Sequence, residues 1–536
     1  MGQAIQYFSS PHGNRIKALL GISLTGILHP LCFPHFNLGL IAWIVLIPLQ
    51  LVIHNSPPRR ALWLGWLAGT IAFVGTVPWV ITAMNQFGQV PLVVSTLLML
   101  LLASYLGLYI GIYAWGYARL LQQYPSLLWF GAPALWVTLE YVRTYAFSGF
   151  PWALLGYSQY HWLPLIQFSD ITGVYGVSFL VVMGNVVISS LLLWVWHHRM
   201  KNPAPSPWLS GVTFLVILSV VLAYGHWQID RQDTFDRSAK TLSIGLVQAN
   251  IAQDQKWDET YREETLSRYA TLSQQAGQNT AFLIWPEAAT PFFYEREPLY
   301  QEKIVEMVRN FKSPLLFGSP ALRFHQDGKP YLLNSAYVLT PEGTISDRYD
   351  KRHLVPFGEY IPLKSLLFFL HKLVVGIGDF KSGQGPMTMR LPTDDKNTGP
   401  RFGAAICFEV IFPDLVRQMA KEGANFLVTI TNDAWFGKST APYQHFGMVV
   451  FRAVENHLAF ARAANTGISG IIAPDGRILM ETEIFSQQAV TGSLPLRSSS
   501  PTFYTSYGDV FSWGCVILTG VWFSLCWFSA RTSKHQ

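Results

Sequence analysis

Three residues of this chain could carry out covalent chemistry together: Glu287, Lys351 and Cys407. Glu287 and Cys407 each close an apolar run, at 282–287 and 402–407, and Lys351 follows the stretch 347–350. Taken singly, each has an ordinary explanation. A cysteine after an apolar strand is a small buried hydrophobe, a lysine beside acids is a solvated face, and a glutamate after Trp-Pro is a turn or cap. Together they are a nucleophile, a base and a cation. A thiol is a poor nucleophile until it loses its proton, so it needs a base nearby. A carboxylate serves if burial raises its pKa toward neutrality. Attack on a carbonyl generates an oxyanion, which an ammonium and a backbone N–H stabilise. The three types therefore make a complete acyl-transfer set. No G-x-S-x-G elbow, P-loop or paired Cys/His spacing is visible, so neither metal nor cofactor is expected.

The elements that must position these residues lie in 229–506. Short β-branched runs (242–247, 282–285, 315–317, 336–339, 402–406, 426–430 and 470–473) alternate there with amphipathic stretches such as 258–276 and Pro298–Phe311. This alternation predicts an α/β domain with buried strands and helices outside. Segments 341–343 and 474–476, both Pro-acid-Gly, read as turns between strands. Cys407 is the only cysteine in 229–506, so an oxidising compartment would offer its thiol no partner within the domain.

The rest of the chain is different in kind. Of 536 residues, 50% are hydrophobic and 13% charged, against about 25% charged in ordinary soluble chains. Residues 229–506 balance at −1, whereas the flanks carry +7. The basic excess thus lies between apolar runs, where it signals topology, and no nucleic-acid partner is indicated. Eight runs are long enough for spans of roughly 20 residues: 17–34, 37–54, 61–84, 91–118, 126–142, 171–196, 208–227 and 508–529. Arg15 and Lys17, Arg59 and Arg60, Arg119, Arg199 and Lys201, and Arg531 and Lys534 all fall on one side if eight spans alternate. That side is cytoplasmic by the positive-inside rule, with both termini on it and 229–506 outside. The first run ends in Pro and Phe, so a cleaved signal peptide is not expected. Glu140 and Arg143 read as a helix-end pair at the interface, or as polar contacts to a lipid headgroup or the outer domain. The expected organisation is a membrane domain of about seven helices at 1–228, a catalytic domain at 229–506, and a final span with a cytoplasmic tail at 507–536.

The segments around Glu287, Lys351 and Cys407 resemble the nitrilase superfamily, whose Glu-Lys-Cys triad sits on an α-β-β-α sandwich. Stretches 253–257, 353–362, 431–437 and 463–469, with the plan of seven spans, outer domain and final span, look like the apolipoprotein N-acyltransferase family. The resemblance covers nearly the whole chain. It implies a bacterial inner-membrane enzyme with its catalytic domain in the periplasm. Cys407 would take an acyl chain from a membrane phospholipid as a thioester. It would then pass it to the α-amine of the S-diacylglyceryl cysteine of an apolipoprotein. Glu287 would be the base, and Lys351 with the Phe408 N–H would hold the oxyanion. Glu359 and Glu409 would support them. Phe408 is a departure, since family members often have Tyr there; its N–H is unaffected, but a hydroxyl contact is lost. Trp257, Trp435 and Phe436 would line lipid access. Phe368 and Phe369, in the apolar stretch 363–375, read either as a core helix or as a membrane-facing lid. Two alternatives remain: a membrane-anchored amidase or nitrilase with water as acceptor, and a transporter or receptor with an α/β outer domain.

Overall fold

The structure, a computed structural model, describes residues 11–201, 206–236, 239–277, 280–360, 380–393, 399–496 and 500–532. The chain divides into two compact units. One comprises Met1–Pro78, Thr96–Trp227 and Asp509–Gln536; the other comprises Trp79–Ser95 and Gln228–Gly508. The segment 79–95, expected within the membrane part, therefore groups with the second unit.

The second unit contains two six-stranded sheets. The first is ordered β12-β1-β2-β3-β4-β5, built from β1 (Thr241–Gln248), β2 (Phe282–Ile284), β3 (Leu315–Phe324), β4 (Pro330–Leu339), β5 (Ile345–Asp350) and β12 (Gln488–Pro495). The other is ordered β11-β10-β9-β8-β7-β6, from β6 (Thr388–Arg390), β7 (Arg401–Ile406), β8 (Phe426–Thr431), β9 (Phe460–Ala464), β10 (Gly470–Ile472) and β11 (Ile478–Glu481). Strands β1 to β3 are mutually parallel, as are β7 to β9, and antiparallel strands flank both sets. Parallel strands are covered on both faces and read as continuous apolar runs, which is why these centres were visible in the sequence.

The sheets meet through Phe282, Phe402 and Phe426, whose rings lie 5.2–6.3 Å apart. All three are fully buried, each contributing about 1.5–3 kcal/mol relative to exposure. Helices cover the outer faces. On the first sheet lie α1 (Arg262–Gly277) and α2 (Pro298–Phe311). Helix α2 starts on Pro298 at N1, buries Ile304, Val305 and Val308 at helical spacing, and stops at Lys312 in the left-handed region. On the second sheet lie α3 (Pro413–Lys421) and α4 (Ala441–Asn456). The result is the α-β-β-α sandwich of a nitrilase-like domain. Both predicted turns form, with Gly343 and Gly476 at φ +85° and +89°, where a side chain would be strained.

The first unit is helical. Among the described residues, three helices are long and apolar enough to cross a membrane: Leu92–Gln123, Val174–Arg199 and Trp208–Thr234. The run 61–84 is not one continuous helix: its helix Pro58–Thr76 stops at Thr76, and the following Trp79–Phe87 groups with the second unit. The run 37–54 is likewise divided, into Gly39–Trp43 and Ile47–Ile53. Asn185 satisfies the interrupted backbone: its Nδ2 donates to Ala42 O and its Oδ1 accepts from Leu46 N, both at 2.8 Å. Gly65 and Gly69 face Gly107 and Gly111, and a Cβ on Gly69 would come within 2.8 Å of Gly107 Cα. Such paired small residues let two helices approach closely in lipid. Glu140 and Arg143 lie in the last turns of the helix Leu128–Tyr145, as a helix-end pair, and are buried within the protein. Glu140 Oε1 accepts from Trp136 Nε1 at 2.9 Å and from Leu155 N at 2.7 Å.

Candidate active site

The candidate residues directly follow strands. In open parallel sheets, ligands gather beyond the carboxyl ends, where the chain first leaves the buried ladder. Glu287 follows β2 across Trp285-Pro286. Trp285 is locked by stacking on Tyr269 at 4.6 Å and by donating to Ser273 Oγ at 2.8 Å. Gly318 of β3 lies against this turn, where a Cβ would sit 2.6 Å from Ala288 N and 2.7 Å from Glu287 Cα. Lys351 follows β5; its N–H donates to Asn334 O at 2.8 Å and its carbonyl accepts from Gly383 N at 2.7 Å. Cys407 follows β7 and opens the short turn Cys407–Ile411. Its φ is +52°, a conformation costing a non-glycine residue about 1 kcal/mol or more. Such strain is retained where surrounding structure over-determines it.

The side chains converge. Lys351 Nζ lies 3.4 Å from Glu287 Oε1 and 2.9 Å from Glu359 Oε1. Asn334 Nδ2 donates to both carboxylates at 2.8 Å. The second oxygen of Glu287 accepts from Asn432 N at 2.9 Å, and that of Glu359 accepts from Val355 N at 2.8 Å. Each carboxylate is thus fixed at both oxygens. Thr431 interacts with the Cys407 thiol and donates to Asp433 Oδ1 at 2.9 Å. Asp433 pairs with Arg462 at 2.7 Å, and His445 spans Asp433 Oδ1 at 3.1 Å and the Cys407 carbonyl at 3.3 Å.

Electrostatics sort these groups into roles. Burial pushes the Cys407 thiol pKa up, nearby Glu287 pushes it further, and Lys351 only partly opposes them. A resting thiol in this place keeps its proton, so a base must remove it. Burial works against the Lys351 charge, but Glu359, Glu287 and Cys407 outweigh it and raise its pKa. Lys351 is therefore a fixed ammonium. Asp433 is fully desolvated, which works against its charge, yet Arg462 and His445 hold it down to about 2.

Glu359 is in contact with Lys351. Glu409 touches neither Glu287 nor Lys351 by a hydrogen bond. It accepts from Arg352 N at 2.7 Å, His353 N at 3.1 Å, Tyr349 Oη at 2.9 Å and Ile406 N at 2.7 Å. It thereby fastens the segment after Lys351 to the residue before Cys407. Phe408 is buried and packs with Phe412 at 5.3 Å and His353 at 5.9 Å. Trp435 packs on Phe87 and Phe436 on Trp79, at 5.9 and 4.8 Å. Trp257 is 37% exposed. Phe368 and Phe369 lie outside the described residues. Sequence reasoning gave no part to Asn334, Asn432, Asp433, His445 or Lys256. Asn432 and Asp433 carried a usable signal, being the first polar pair after an apolar run. Asn334 lies inside β4 and carried none.

Residues 243–502, which hold the two-sheet sandwich, match the family model described as carbon-nitrogen hydrolase. Residues 25–187 match the one described as apolipoprotein N-acyltransferase N-terminal domain. The chain belongs to the apolipoprotein N-acyltransferase family. A relative of that name from Geobacter metallireducens is 42% identical over 96% of this chain and 96% of its own length. Another from Vibrio vulnificus is 30% identical over 97% of this chain and 99% of its own. The solved structure of Saccharomyces cerevisiae Nit3, a nitrilase-superfamily member, aligns at 19% identity over 48% of this chain and 90% of that one, with TM-score 0.36. That likeness is too slight to bear on the site.

Proposed function

We propose that this chain is an apolipoprotein N-acyltransferase that works through a thioester on Cys407 in two steps. The observation that carries this reading is the pair of carboxylates fixed on one buried lysine in the same site as a buried cysteine held at φ +52°. In the first step Glu287 takes the thiol proton and Cys407 Sγ attacks a phospholipid ester carbonyl. Lys351, with the Phe408 N–H, stabilises the oxyanion. The C–O bond breaks, the proton passes to the departing oxygen, and a lysophospholipid leaves. In the second step the α-amine of an S-diacylglyceryl cysteine attacks the thioester. Glu287 takes its proton and returns one to sulfur as the C–S bond breaks. Glu359 orients Lys351, and Glu409 holds the two segments in register. Trp257, Trp435 and Phe436 line the approach for lipid.

Labelled phospholipid distinguishes the readings. An acyl-enzyme that is released by hydroxylamine, survives in water and is discharged by a lipopeptide amine is the expected result. Rapid appearance of free fatty acid would favour the hydrolase, and no label at all would refute both.

The same reading places 229–506 in the periplasm, between the seventh and eighth of eight spans of the inner membrane, with both termini cytoplasmic. Pro58–Thr76 and Trp79–Phe87 then count together as one span. The basic residues bordering the apolar runs support this. Reporter fusions after Arg60 and Lys201 should read cytoplasmic, and one at Asp327 periplasmic. A periplasmic signal from the Arg60 fusion would overturn the topology.

A further inference from the structure

A second lysine reaches the site. Lys256 lies in the loop after β1, is 2% exposed, and donates from Nζ to the backbone carbonyl of Glu287 at 3.1 Å. Electrostatically, Glu287 and Cys407 act on it, and Glu287, Lys351 and Asp433 act on Cys407. Among these, Asp433 is already matched by Arg462 at 2.7 Å. Glu287 and Glu359 instead share one ammonium, that of Lys351. Two carboxylates against one cation leave a net negative charge in a buried space, where charge is poorly screened. That excess opposes formation of a thiolate. A second ammonium removes it. Burial lowers the Lys256 pKa to about 8, and Glu287 and Cys407 are the groups that hold its charge against that burial.

We infer that Lys256 is a positioning residue for acyl transfer: it anchors the Glu287 backbone and supplies the second positive charge against which the Cys407 thiolate forms. This rests on Cys407 being the nucleophile, as proposed above.

The test uses the full-length enzyme in detergent micelles, with Lys256→Gln, Lys256→Met and Lys256→Arg. Iodoacetamide alkylation of Cys407 is followed from acid to alkaline pH by mass analysis of its own peptide, so that the other cysteines do not contribute. Removing a positive charge makes the thiol harder to ionise. Lys256 carries that charge below about pH 8, so there the two neutral variants should be alkylated about tenfold more slowly than the wild type, a gap that narrows at higher pH. Lys256→Arg should keep the wild-type rate below that pH. A lysine that only fills space would alter the melting temperature and leave the rates equal. Equal rates below that pH in the neutral variants overturn the inference. Failure of both to fold does so too, because it makes Lys256 a framework residue. A Cys407→Ala control that still acquires labelled acyl chain refutes the underlying reading. An inert Cys407→Ala beside equal rates refutes only the part given to Lys256.

Discussion

Cys407→Ala should yield no hydroxylamine-labile acyl-enzyme, and lipopeptide acylation should fall by about four orders of magnitude or more. The variant should fold normally. Alanine keeps the Cβ, so the left-handed backbone at φ +52° is no more strained than before, and only one buried sulfur is lost. Cys407→Ser is the more informative companion. An alcohol's pKa lies far above a thiol's, and burial already pushes the thiol upward at this site. Glu287 would have to remove a much more tightly held proton, so the serine enzyme should retain well under about 1% of the acylation rate. Both variants are read by labelled phospholipid, gel shift before and after hydroxylamine, and melting temperature. Wild-type turnover by Cys407→Ala would remove this residue from the chemistry altogether.

Glu287→Gln should stop the reaction before the thioester. A general base contributes about 10²–10⁴ in rate, and a loss in that range is expected for the first step. The carboxylate also accepts from Asn334 Nδ2 and Lys351 Nζ on one oxygen and from Asn432 N on the other. An amide can present an acceptor to only one of those sides, so its NH₂ must face a donor. That mismatch should cost about 1–3 kcal/mol of stability. The diagnostic is a disproportion: acylation collapses while most of the enzyme remains folded at assay temperature. A fall in rate no larger than the fall in folded enzyme would make Glu287 structural.

What the sequence disclosed follows from burial. Parallel strands such as β7 and β8 are apolar on both faces, so they stood out, and so did Cys407 as the residue where β7 ends. Strands β11 and β12 are half exposed, and their alternating polar residues masked them. Strand β9 was missed for another reason. It is mostly alanine around Arg462, a charge that looks foreign to a core until Asp433 is seen opposite it. Helix α4 is buried on every side, with Arg452 and Glu455 paired inside, so it has no polar face to give a helical period. In the site, polar residues that follow strands were legible, whereas Asn334 was hidden within one. The apolar runs of the first unit were clear as runs; the break at 77–78 falls at Pro78, a local cause, whereas the break at 44–46 is satisfied by Asn185 from a distant helix.

In the first sheet Thr241 of β1 stands opposite Pro495 of β12. The two-sheet part of the second unit, 241–495, thus begins and ends at neighbouring positions. A domain with adjoining ends is a cassette: it can be spliced into a host chain without prising the host's flanking segments apart. The arrangement has a mechanical side as well. Tension applied through both ends would open the β1–β12 ladder as a zipper, one hydrogen bond after another, instead of shearing all of them together. The seam between the first and last strands is therefore where this domain is expected to yield first under load.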